Sequence, residues 1–170
     1  MNLFGQNNHP ESLKDQIIRI LNEEKMRYSI HTENNDEVVI NLGMALSEGN
    51  VDTFILAQTA CHLIEIVTFA PLNIPENKRS EAARYCATIS THLSFGAFEM
   101  NHTTGQLRTK TYLLLPESLT MSDVVFKRCF LGNLDIMDRY FSGMMQIVYG
   151  NISAQSAIEK IHNRTDPQLN

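Results

Sequence analysis

The sequence predicts an α+β domain, an antiparallel sheet of about five or six strands packed against helices in the order α-β-β-β-β-α-β-β-α-α. Three features carry that prediction. Apolar residues follow a helical period at the start of the chain, alternate at 28–32 and 38–46 ahead of two β-rich runs at 52–59 and 62–69, and then return to a helical period. Residues 95–115 read as two strands around a Gly-containing turn: Phe98 and Met100 alternate before it, and Leu107, Leu113 and Leu115 share a parity after it. A long apolar helix then runs to about residue 149.

Taken in order, Leu13, Ile17, Ile20 and Leu21 fall on one face of an amphipathic helix, with Pro10 and Glu11 suited to its first turn. Tyr28, Ile30 and Thr32 alternate, and so do Val38, Ile40, Leu42, Met44 and Leu46 after the turn Asn34-Asn35-Asp36, which predicts a hairpin. A turn at 47–50 leads to strands at 52–59 and 62–69, completing a four-stranded antiparallel meander that Pro71 and Pro75 end. Within 76–93, Ala82, Ala83, Cys86, Ile89, Ser90 and Leu93 have helical spacing, a small-residue helix able to lie close against a sheet. In the following hairpin Gly105 supplies the positive φ that the turn requires.

Thr120 with Asp123 three residues on matches a helix-start signature, in which each side chain satisfies an end N–H. Gly150 suits the C-terminal cap of that long helix. Ser153 can cap a last short helix, 154–162, whose inward residues are Ala157, Ile158 and Ile161. Residues 1–9 and 163–170 are polar and read as short tails. The chain, 1–170, is therefore expected to form a single domain with its folded part at about 11–161.

At 170 residues and 43% hydrophobic, the chain can bury one substantial core and is too short to favour two ordinary domains. Its 19 acidic and 14 basic residues give a formal charge of −5, without a block of Lys and Arg of the kind that neutralises phosphates. Nucleic acid is not an expected partner. Leu63-Ile64 and Ile66-Val67 are separated by Glu65, and no apolar run approaches the roughly 20 residues a membrane helix needs. The first residues lack a cationic stretch followed by an apolar one, so neither a membrane nor a secretory route is expected, and the expected location is the cytoplasm. Matches to the glycosylation pattern at Asn101, Asn151 and Asn163 are then chance ones.

Candidate chemistry is sparse. Cys61, Cys86 and Cys129 are widely spaced in apolar surroundings, which suits reduced core thiols better than a disulfide framework. His31, His62, His92, His102 and His162 stand far apart, and none has a close His, Cys or carboxylate partner at a recognised ligand spacing. His62 beside Cys61 is the best local pair, but neighbours on a strand point to opposite faces. No nucleophile elbow or phosphate loop is present, so no catalytic residue, metal or cofactor is expected. Glu65, inside a strong strand, is read as lying on an edge strand or a solvent face; turned inward it would need a cationic partner.

Methionine and aromatic residues offer the one functional lead. Phe126, Phe130, Met137, Phe141, Met144, Met145 and Val148 line the long helix, with Val125, Cys129 and Ile136 widening the stripe beyond what one sheet can cover. Unbranched, polarisable Met side chains repack readily against different apolar surfaces. Phe130, Met137, Tyr140, Phe141, Met144 and Met145 are therefore the candidate protein-interaction or dimer surface, with ordinary core packing as the competing explanation.

The element order, the strand Phe98-Glu99-Met100, the turn Thr104-Gly105-Gln106-Leu107, the exit Leu113-Leu114-Leu115-Pro116 and the ending from Gly150 through Ser153 to Ile158 resemble the YbjN-like family of bacterial proteins. That family is described as sensory transduction regulators, similar in fold to type III secretion chaperones. The resemblance spans roughly residues 11–161 and brings no catalytic residues with it. It implies a non-enzymatic regulatory or chaperone-like domain that binds an unidentified protein client and forms a homodimer, in bacterial signalling or stress response. The alternatives are a small-molecule sensor or an unrecognised enzyme with its site between the sheet and the 121–149 helix, and a structural subunit of a larger assembly.

Overall fold

The structure is a computed structural model that describes residues 11–34 and 36–165, with side chains as far as Ile161. Helix α1 (Leu13–Glu23) leads into strands β1 (Ser29–Glu33), β2 (Glu37–Leu46), β3 (Gly49–Gln58) and β4 (Leu63–Asn73). A 3-10 turn, Glu76–Lys78, opens directly into α2 (Arg79–His92), followed by β5 (Ala97–Met100), β6 (Gln106–Leu114), α3 (Asp123–Tyr149) and α4 (Ala154–Thr165). The predicted α+β class and element order are those of the molecule. The six strands form one sheet in the order β1-β2-β3-β4-β6-β5, antiparallel at every pairing. Each neighbour in the sheet is a neighbour in sequence except at β4 and β6, where the chain crosses through α2 and returns by the β5–β6 hairpin.

The periodic residues of α1 fold as their spacing dictates, since Leu13, Ile17, Ile20 and Leu21 are all buried. The helix starts later than Pro10 and Glu11 suggest: the Ser12 hydroxyl accepts from the Asp15 N–H at 3.1 Å and is the cap. Pro10, residues 1–9, Asn35 and the last residues of the expected C-terminal tail lie outside the described residues. Residues 163–165 of that tail belong instead to α4, which continues to Thr165.

Local chemistry moves other boundaries as well. Pro71 does not end the meander but lies inside β4, where the β6 register breaks between Phe69 and Asn73 and β3 no longer pairs. Ser122 rather than Thr120 caps α3, accepting from the Val125 N–H at 3.5 Å. Asp123 is then the first helical residue, and its carboxylate takes both arms of the Arg19 guanidinium, at 2.7 and 2.9 Å. That hydrogen bond holds the Asp123 carboxyl below its ordinary pKa and ties the start of α3 to α1. At the other end of α3, Gly150 keeps φ −87°, and the positive φ falls one residue later on Asn151, at 52°.

The hairpin turn between β5 and β6 does depend on its glycine. Gly105 has φ +76°, and a Cβ there would stand 2.1 Å from the Ile74 carbonyl oxygen. That close approach lets the Ile74 N–H donate to the Gly105 carbonyl at 2.7 Å, joining the turn to the end of β4.

All the helical packing onto the sheet falls on one face. Its inner side carries Ile40, Leu42, Ile55, Ala57, Ile64, Ile66 and Leu107, with Phe98 from β5 set edge-on against Tyr85 of α2. Helix α3 lies across β4 and β6, α2 lies beside it over β5, and α4 packs against both of these helices. Gly143 is the contact point there: a Cβ on it would meet the Tyr85 hydroxyl at 2.1 Å and the Ile161 side chain at 2.8 Å. The Tyr85 hydroxyl donates to the Tyr140 carbonyl at 2.8 Å, so its buried polar atom is satisfied. The stripe on α3 is thus broad because it has two apolar partners, both supplied by this chain.

A polar rank crosses this core. Thr53, Thr68 and Thr109 stand side by side on β3, β4 and β6, and Asn133 of α3 reaches down to them. The Asn133 amide oxygen accepts from Thr68 at 2.6 Å and from Thr109 at 3.0 Å, while its nitrogen donates to the Ile66 carbonyl at 3.0 Å. Because the Thr68 proton is committed to Asn133, the 2.8 Å contact between Thr68 and Thr53 has Thr53 as donor.

Candidate protein-interaction face of the sheet

Alternation along a strand sends every second side chain away from the helices. On that outer face the register aligns transverse rows: Asn41-Phe54-Val67-Lys110-Ala97, Val39-Leu56-Glu65-Tyr112, and Asp52-Phe69-Arg108-Glu99. Among the described residues, no helix packs over them. Phe54 and Phe69 meet edge-on with centroids 5.8 Å apart, and His31 of β1 sets its ring 5.9 Å from Phe54. Val67 is only 4% exposed although it points away from the core, because larger neighbours surround it. Phe54, Leu56 and Phe69 are half-buried, while Tyr112 and Leu114 are 52% and 79% exposed.

The face is apolar in its middle and ionic towards β5. The Lys110 ammonium lies 2.6 Å from Glu65 and 5.3 Å from the centre of the Tyr112 ring, and Arg108 donates to Glu99 at 2.9 Å. Partial burial alone lowers the Lys110 pKa, but hydrogen bonding to Glu65 and Tyr112 outweighs it and leaves the ammonium above its ordinary value. Glu65 therefore sits on the outer face, one of the two placements read from the sequence, and has a cationic partner as well. Glu65 and Glu99 are each paired with a cation, while the third carboxylate of the face, Asp52, is exposed at the end of its row. Beside Phe54 and Phe69 a shallow depression of about 480 Å³ continues over Pro71, Leu72, Asn73 and Gln106.

The residues predicted to form the interaction surface lie elsewhere. Phe130, Met137, Tyr140, Phe141 and Met144 are buried and Met145 is half-buried against the same core, because the sheet, α2 and α4 together cover this side of α3. They act as core in this fold. The outer-face residues Phe54, Leu56 and Phe69 did leave a sequence signal: in 52–59 and 62–69 both parities are apolar, which is more than one buried face requires.

The other candidates are likewise placed one by one. Cys86 is buried and its thiol is pushed up to about 12 by burial, Cys129 is half-buried and raised for the same reason, but Cys61 is exposed in the β3–β4 turn rather than in the core. His62 belongs to that turn too, with φ 50°, so the pair does not sit on a strand. Among the described residues, no group of three or more His, Cys, Asp or Glu is placed to hold a metal ion. Nor is any described helix long and apolar enough to cross a membrane.

No family model matches the chain, and no curated protein matches it. The resemblance to the YbjN-like family thus rests on the sequence features quoted above.

Proposed function

We propose that this chain is a non-enzymatic protein-binding domain of regulatory or chaperone-like kind, which holds a segment of a protein client on the outer face of its sheet. The uncovered band of Phe54, Leu56 and Phe69, continued by Tyr112 and Leu114 at 52% and 79% exposure, carries this reading, since apolar area left facing water stabilises a complex when a partner covers it. The open depression beside Phe69, which Asp52, Asn73 and Gln106 also line, accepts a side chain with a polar end, and the paired charges at Glu65–Lys110 and Glu99–Arg108 form a polar rim. The face is preferred over the β1 edge, because β1 carries a register break after Ile30 and an ion pair between Glu33 and Lys14, both of which discourage strand addition. A bacterial setting in signalling or stress response follows only from the YbjN-like resemblance, and the cytoplasmic location is the expectation drawn from the sequence.

Site-specific photo-crosslinking in cells tests it. A crosslinking residue in place of Leu56 or Phe69 is expected to give a discrete adduct to another protein, and one in place of Gln155, exposed on α4, is expected to give none. Identical adducts from all three positions, or none from the sheet, would remove the client reading. A small molecule retained through purification would favour a sensor, but the space between sheet and α3 is filled by Asn133, Phe130 and Met137.

A further inference from the structure

Helix α3 has a second stripe, opposite to the one packed in the core. Val124, Arg128, Leu131 and Asp135 follow one another at helical spacing along its solvent side, with Val125 and Gly132 beside them. Val124, Val125 and Leu131 are 64%, 43% and 57% exposed, an unusual concentration for one side of one helix. Phe95, half exposed, lies against Gly132, where a Cβ would come within 2.3 Å of its ring. Next to this point a cleft of about 160 Å³ opens between Leu93, Phe95, Gly132 and Ile136.

The charges on this ridge have a particular arrangement. Arg128 has no ion-pair partner among the described residues, and Asp135 has only Arg139 one turn on, at 3.2 Å, in an exposed i,i+4 contact of little strength. Arg128 and Asp135 lie at equal distances along the helix on either side of Leu131 and Gly132. A cation and an anion so placed are complementary to the same ridge turned end for end, whereas a partner of one charge sign would satisfy one of them and repel the other.

The geometry points to self-association: the α3 ridge packs antiparallel against the α3 ridge of a second copy, about a twofold axis passing beside Leu131 and Gly132. Arg128 then faces Asp135 of the second copy, and Asp135 faces its Arg128. The two Leu131 side chains meet at the axis, flanked by the half-exposed Phe95 rings that fill the space over Gly132. This surface is separate from the outer sheet face and leaves that face open, so neither proposal rests on the other.

The test is the oligomeric state of the full chain, followed by sedimentation over a concentration series with circular dichroism to check folding. The wild type is expected to dimerise, and Leu131→Asp is expected to be a folded monomer, because its side chain is solvent-exposed in the single copy. Arg128→Glu is expected to weaken the dimer about tenfold or more by placing like charges opposite one another. Combining Arg128→Glu with Asp135→Arg is expected to restore it. Within one copy the two positions are two turns and about 10 Å apart, so the rescue reads the contact between copies. A wild type that stays monomeric at its solubility limit overturns the proposal, as does a dimer that Leu131→Asp leaves intact or a double variant no tighter than Arg128→Glu.

Discussion

The Thr68 hydroxyl donates to the Asn133 amide oxygen across 2.6 Å in the middle of the core, so the sheet and α3 are joined by a buried polar contact as well as by apolar packing. Helix α3 could slide along an apolar sheet by one turn with modest loss, but Asn133 finds Thr68, Thr109 and the Ile66 carbonyl in one position only.

Replacing Asn133 by Leu is therefore expected to destabilise the fold by about 2–4 kcal/mol, since it leaves two hydroxyls and a carbonyl buried without their partner. Adding Thr53→Val, Thr68→Val and Thr109→Val to Asn133→Leu should recover a large part of that loss, because all three linked hydroxyls of the rank go together. Urea unfolding of the three proteins measures both effects. A cost below about 0.5 kcal/mol for Asn133→Leu would mean that the network does not fix the helix.

Gly105→Ala is expected to cost more than about 2 kcal/mol, because it combines a left-handed φ with a Cβ driven into the Ile74 backbone. Gly43→Ala is the control, with no atom within 4 Å of the added Cβ, and is expected to shift stability by no more than about 0.5 kcal/mol. Thermal unfolding of the two variants should separate them clearly.

The Glu65–Lys110 pair makes a pH-dependent contribution of a definite sign. Lys110 has its pKa raised by folding, so the stabilisation is fully present below the ordinary lysine value of 10.5 and is lost as pH rises through the folded value. Glu65→Gln is expected to cost about 1 kcal/mol or less at neutral pH. Its melting temperature should converge with that of the wild type in strongly alkaline solution, and a gap that persists there would mean that the pair acts through packing alone.

Thiol labelling of the native protein should proceed at Cys61 first. Cys129 is half-buried with a raised pKa and should follow slowly, while Cys86, pushed up to about 12 and buried, should react only on unfolding. Mass-mapped maleimide modification gives the order, and early modification of Cys86 would contradict the packing of α2.

Much of this fold is legible residue by residue. Leu13, Ile17, Ile20 and Leu21 announce α1, and the alternation from Val38 to Leu42 announces β2, because burial on one face imposes a period on the sequence. Strand β1 is less readable: its register break puts Tyr28 and Ile30 on a different face from Thr32, and the whole strand is exposed at the sheet edge. Tyr85 and Asn133 escape an apolar count since each carries a polar atom, although Asn133 lies in sequence between the buried Phe130 and Met137 at helical spacing. What spacing alone does not reveal is which elements stand around a helix. The α3 stripe looks unpartnered until α2 and α4 are seen to close over Gly143.

The sheet order has a consequence for how the chain comes to be folded during synthesis. Strands β1 to β4 pair with their neighbours in sequence and can assemble as soon as they emerge, but the second partner of β4 is β6, which follows only after α2 and β5. At about 5–20 residues per second, the free edge of β4, bearing Ile64 and Ile66, waits for seconds on the ribosome before β6 arrives. That interval is when nascent chains of this protein are most exposed to pairing with one another, and lengthening the β4-to-β5 connection would widen it without altering a single contact in the finished sheet.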